Sequence, residues 1–137
     1  MATLYAGYSA AADITPSDLA SLPNTGVSSA GLEQNNTTTR YISAQLTFSL
    51  TGSAGSTGTV DVYILHGNVT GAEADALNKT ILGSITLNSA TAVKKTLTFD
   101  FETVSAFWKL YIVNNSGGNL AATGNSVTVV GYNPTDV

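Results

Sequence analysis

Residues 41–50 alternate without a break: Ile42, Ala44, Leu46, Phe48 and Leu50 fall on one side, Tyr41, Ser43, Gln45, Thr47 and Ser49 on the other. A period of two sends successive side chains to opposite faces, so the segment predicts a half-buried β-strand. Residues 51–58 carry only Gly, Ser, Ala and Thr and predict a flexible connection. A second strand follows at residues 60–66, with Val60, Val62 and Ile64 on one face, which makes a hairpin. Ile81, Leu82, Ile85 and Leu87 supply a third apolar run, and Leu97, Phe99 and Phe101 alternate against Thr96, Thr98 and Asp100 in a fourth. Residues 107–113 are the most apolar, with Trp108, Leu110 and Ile112 opposite Phe107, Lys109, Tyr111 and Val113, the pattern of a strand inside a sheet. Turn residues 114–119 (Asn, Asn, Ser, Gly, Gly, Asn) close it, and residues 126–132 form the last strand, ended by Asn133 and Pro134.

The first forty residues are less regular. Thr15, Pro16 and Asp18 fit a helix start with Thr15 as N-cap, but Pro23 leaves room for only a turn or two, so a short helix and an irregular edge strand are both open. Leu4, Tyr5 and Tyr8 form an apolar and aromatic cluster ahead of it, which either adds an edge strand or reaches onto a neighbour. Strands recurring at intervals of roughly ten residues, with turn chemistry between them and no helical period, predict an all-β fold. The expected architecture is an antiparallel β-sandwich, jelly-roll-like, over residues 23–137, with an extended N-terminal segment or arm over residues 1–22.

Composition narrows the chemistry. The 137 residues include 20 Thr, 14 Ser, 13 Gly and 11 Asn, a mixture of strand and turn formers, while 43% are hydrophobic, which argues against disorder. No cysteine is present, so thiolate catalysis, disulfides and sulfur-based zinc sites are excluded, and one histidine does not build a His-rich metal cage. Five basic residues against nine acidic ones, a net charge of −4, cannot neutralise many phosphates, so nucleic acid is not an expected partner. No apolar stretch approaches the ~20 residues of a membrane span, and the first residues lack a signal-peptide pattern, so a soluble chain with no membrane partner is expected.

Few residues offer chemistry. His66 ends a strand beside Gly67 with no nucleophile motif near it, and is read as bonded to loop backbone. Asp100 and Glu102, two apart in a strand, are read as one-sided, able to flank a sugar or hold calcium but more simply a solvated polar face. Glu73 and Asp75 carry oxygens without the spacing of a calcium loop. Trp108 sits among apolar neighbours and is read as core rather than as a carbohydrate platform. No cofactor, no metal and no catalytic residue is expected.

The order of segments from about Leu19 onward resembles a type of small bacteriophage virion protein, a β-sandwich found among capsid decoration (cement) proteins. The residues that carry the resemblance are 18–22 (DLASL), 41–46 (YISAQL), 60–67 (VDVYILHG), 82–85 (LGSI) and above all 108–120 (WKLYIVNNSGGNL) running to Tyr132. The resemblance implies a non-enzymatic protein on the outer surface of a phage head, assembled in the host cytoplasm. It implies the major capsid protein as partner and a homo-oligomer, with a trimer in view. The loop at residues 67–78 is shorter than is usual in such proteins. Candidate contact residues are Leu4, Tyr5 and Tyr8 at one end and Tyr132 at the other, against the alternative that all four cap the domain's own core. The competing function is a tail-associated or carbohydrate-binding adhesion module, which requires Trp108 or several of Tyr41, Tyr63 and Tyr111 exposed above a polar rim. A glycosidase built on Asp100 and Glu102 is disfavoured, because carboxylates on one face of one strand do not lie on opposite sides of a glycosidic bond.

Overall fold

A computed structural model describes residues 7–28, 31, 33–69, 71 and 79–133. The strands run β1 (Gly7–Tyr8), β2 (Ala12–Asp13), β3 (Val27–Ser28), β4 (Gln34–Asn35), β5 (Ser43–Leu50), β6 (Thr59–Gly67), β7 (Lys79–Thr86), β8 (Val93–Asp100), β9 (Phe107–Asn115) and β10 (Ser126–Asn133). One sheet has the order β1-β10-β5-β8 with β2 also on β10, the other β3-β9-β6-β7 with β4 also on β9. Every pairing is antiparallel. Along the chain the pairs are nested: β6 with β7 innermost, then β5 with β8, then β3 and β4 with β9, and outermost β1 and β2 with β10. A long nested hairpin whose strands fall into two facing sheets is the jelly-roll arrangement, so the all-β sandwich expected from periodicity is the fold observed.

The alternating faces do what their period requires. Ala44, Leu46, Phe48 and Leu50 of β5, Val60, Val62 and Ile64 of β6, and Trp108, Leu110 and Ile112 of β9 are buried together between the sheets. Two expectations about faces need correction. Ile42 is 50% exposed, because β5 begins one residue later and Ile42 lies at the open end of the sandwich. In β7 the register shifts, Val62 facing Gly83 but Tyr63 facing Ile81, so Leu82 is an inserted bulge residue. The bulge turns Ile81 outward, 61% exposed, while Ile85 stays fully buried.

The N-terminal residues form turns rather than a helix. Leu19 N–H donates to Pro16 C=O at 3.2 Å and Leu22 N–H to Leu19 C=O at 3.2 Å, two successive turns that drive Leu19 and Leu22 into the core. Pro23 blocks continuation into an α-helical ladder. Thr15 does not cap a helix. Its hydroxyl donates to Asp13 at 2.6 Å and accepts from the backbone N–H of Val127 at 2.9 Å, tying this segment to β10.

Asn114, which the sequence places in a turn, remains in β9 and is fully buried. Its Nδ2 donates to the carbonyls of Leu22 and Gly118, both at 2.9 Å, and its Oδ1 accepts from the N–H and hydroxyl of Ser116 at 3.1 and 2.7 Å. One amide therefore joins the N-terminal turns to the loop after β9, and it supplies partners to backbone groups that lie outside the ladders. Asp61 of β6 spans strands in the same way, accepting from Ser84 of β7 at 2.6 Å and from Asn115 of β9 at 2.8 Å. These bonds, that from Ser84 first, hold its carboxyl below the ordinary value of 3.8 against the opposing effect of burial.

Two predictions follow from these bonds. Asn114→Ala leaves the buried N–H of Ser116 without its acceptor, removes the Nδ2 donor from the carbonyls of Leu22 and Gly118 and opens a void, and is expected to cost about 2–4 kcal/mol in urea denaturation; an unchanged midpoint would contradict the role assigned to the amide. Asp61, with a lowered folded-state pKa, contributes stability in full above the unfolded value, and that contribution is lost as pH falls through the folded one. The stability difference between the wild type and Asp61→Asn should therefore shrink below about pH 3.8, and a difference constant from pH 6 to pH 2 would contradict it.

Candidate functional site

Two of the four candidate contact residues meet at the edge of the first sheet. Tyr8 and Tyr132 are register partners, their ring centroids lie 5.0 Å apart, and Tyr8 is 61% exposed. Ser9 clamps the same edge, its N–H donating to Gly131 C=O at 2.8 Å while its hydroxyl accepts from Gly131 N–H at 2.9 Å. Leu4 and Tyr5 lie outside the described residues.

Beside this edge, at the end of the sandwich, stands Tyr41. The side chain of Asn36 brackets its backbone, Oδ1 accepting from Tyr41 N–H at 2.8 Å and Nδ2 donating to Tyr41 C=O at 2.9 Å. The ring lies flat against Gly131, where a Cβ would fall 2.5 Å from ring carbons, so only glycine leaves it room. Beside Tyr41 lies a half-open recess of about 370 Å³ whose lining includes Gln34, Asn35, Asn36, Phe101 and Trp108. Trp108 is only 3% exposed and packs edge-on against Phe99 at 4.9 Å, so it is core, as expected.

On the other side of Tyr41 lies an open depression of about 490 Å³, lined by Ile42, Asp100, Phe101 and Glu102. Asp100 and Glu102 do not share a strand face. Asp100 ends β8, and its carbonyl accepts from the N–H groups of Thr103 and Val104 at 3.2 and 3.1 Å, turning the chain before Glu102 can alternate.

Nδ1 of His66 accepts from the N–H of Ser105 at 3.1 Å, which leaves Nε2–H to donate to Thr80 Oγ1 at 3.1 Å, the loop-backbone role read from its position. Glu73 and Asp75 lie outside the described residues, and among the described residues no three His, Asp or Glu side chains gather as metal ligands. Tyr63 and Tyr111 meet on the outer face of the second sheet, centroids 6.1 Å apart, with Lys79 Nζ at 5.0 and 5.3 Å from their rings. That cation already occupies the position over the rings that a ligand would need. Sequence reasoning missed the Tyr41 cleft because its parts come from β2, β4, β5, β9 and β10, and only the five-residue separation of Asn36 and Tyr41 is local.

No protein-family model matches the chain, and no curated protein matches it. Among solved structures the chain is similar to one described as the structure of tomato aspermy virus by X-ray crystallography, with a TM-score of 0.46 and 11% identity over 96% of this chain and 79% of that one. It is similar also to PirA, with a TM-score of 0.30 and 12% identity over 93% of this chain and 84% of that one. At these values neither likeness bears on function, and the jelly-roll assignment rests on the strand pairing.

Proposed function

We propose that this chain is a non-enzymatic structural protein of a virion, a decoration or cement protein that binds the major capsid subunits of a bacteriophage head and stabilises the shell. The observation that carries the reading is the edge formed by β1 and β10. There the exposed Tyr8 stacks on Tyr132, and the ladder between the two strands is only two residues long. A short aromatic edge of this kind offers both apolar area and unpaired backbone groups to a neighbour. The resemblance of residues 108–120 and the shorter segments to decoration proteins supports the same reading.

The physics of the role is modest contact multiplied by copy number. Apolar area buried across a joint between shell subunits contributes about 25 cal/mol per Å², and many copies repeat the gain over the lattice. A net charge of −4 suits the outer surface better than the side facing packaged DNA. A homo-oligomer, with the trimer first among the candidates, would bring several copies of the Tyr8 edge to one lattice site.

The test is to mix the purified protein with expanded capsids that lack it and sediment the mixture. Stoichiometric co-sedimentation is expected. Tyr8→Ala, which alters an exposed ring, is expected to leave the thermal unfolding unchanged and weaken attachment at least tenfold, and removal of residues 1–8 should weaken it further. Attachment unaffected by either change would contradict the contact, and absence of attachment by the wild type would contradict the function.

A further inference from the structure

The two sheets end differently on their two sides. Toward the N-terminal segment the outermost strands are two residues long, whereas on the opposite side each sheet ends on an eight-residue strand, β8 in one and β7 in the other. A long open edge is a template for another chain, and folded proteins blunt it with a bulge, a proline or a charge. β7 is blunted twice. The bulge at Leu82 breaks its register, and Lys95 reaches over from β8 to donate its Nζ to Ser84 C=O at 2.9 Å. β8 carries no bulge and no proline, pairing with β5 through all eight residues without a shift. Lys95, folded back onto Ser84, does not guard it.

Which backbone groups β8 leaves open follows from the ladders. In β10 the carbonyls of Val127 and Gly131 accept from Ile14 and Ser9 in the N-terminal segment, so by alternation Thr128, Val130 and Tyr132 turn toward β5. They face Thr47, Gln45 and Ser43, which leaves Ala44, Leu46 and Phe48 to bond Phe99, Leu97 and Lys95 of β8. The N–H and C=O groups of Thr96 and Thr98 therefore point away from the sheet. Lys94 and Asp100 share the solvent face with these threonines, one at each end of the strand, opposite Ser49 and Ser43 of β5. Six residues apart, about 20 Å at ~3.3 Å per residue, the two charges are beyond each other's reach within one chain.

In a second copy running antiparallel the same charges come in reverse order. With Thr96 facing Thr98 of the second copy, open backbone groups meet open backbone groups, Lys94 falls opposite Asp100 of the second copy, Asp100 opposite its Lys94, and Leu97 opposite itself on the twofold axis. A slip of two residues sets Lys94 against Thr98, or Asp100 against Thr96, and breaks both charge pairs. From this self-complementarity we infer that two copies of the chain associate in solution through β8, edge to edge in that register, joining their five-stranded sheets into one.

The β8 edge lies at the far end of the sheet from Tyr8, so this association is independent of the capsid contact, and the isolated chain tests it. Sedimentation equilibrium of the purified protein from micromolar to millimolar concentration is expected to show a reversible exchange between monomer and dimer. Lys94→Glu and Asp100→Lys each set like charges opposite one another at two places, and each should weaken the dimer about tenfold. The double variant, with the signs exchanged, should recover it. Thr98→Pro removes an outward N–H that β5 does not use, and should abolish the dimer with little change in thermal unfolding; should it fail to fold, the charge series decides. Tyr8→Ala should leave the dimer intact. A chain monomeric throughout, association closing at a number other than two, a dimer indifferent to Lys94→Glu, or a double variant no stronger than the single ones would each overturn the assignment, and none of these results would touch the capsid reading.

Discussion

The structure depends on one packing contact: the inward faces of β5 and β10 pressed against those of β6 and β9. Phe48, Leu46, Val60, Val62, Ile64, Ile112 and Val127 are all at most 1% exposed, so along most of its length the sandwich is sealed. Cores of this density transmit displacement rather than absorb it, and the positions of the edges and ends are set by the core. Where the facing residues shrink to Ala44 and Gly131 the seal opens, and Tyr41 lies across the gap. The cleft is thus a consequence of side-chain volume at a few positions on an otherwise regular double sheet.

Loops of such a fold carry polar backbone that the ladders do not reach. Asn114 answers this at one end of the molecule by contacting Leu22, Ser116 and Gly118 at once, and Asn36 does so near the other by closing the turn before Tyr41. Both are amides acting as substitutes for backbone, able to donate and accept together. The abundance of Asn, Ser and Thr in this chain therefore has a structural use in addition to coating the surface.

Where alternation is local, it was legible. The faces of β5, β6 and β9 follow from period two, and so does the burial of Trp108. Four strands of two residues were not legible, since Tyr8 finds its partner at Tyr132 and Val27 at Val113, and two residues hold no period. Proline and a capping pattern at Thr15 suggested a helix start, but the pull of Leu19 and Leu22 into the core and the bond from Val127 decided the local conformation. The bulge at Leu82 also escaped, because an inserted residue changes the face of Ile81 without any local mark beyond the neighbouring Gly83. Of the candidate contact residues, Tyr8 and Tyr132 were named separately, one at each end of the chain, while their meeting at one edge and the recess at Tyr41 required the tertiary pairing of β1 and β2 with β10 and of β4 with β9.

The edge and the recess share β10, one made of the exposed Tyr8 against the half-buried Tyr132 and the other lined by Tyr41, Val129 and Gly131. The most direct measurement of the central claim is a cryo-electron microscopy reconstruction of virions containing this protein. The account predicts jelly-roll density at repeated positions on the head, with the β1 and β10 edge against the shell. Density confined to the tail, or a head-bound molecule whose Tyr8 edge faces away from the shell, would contradict it.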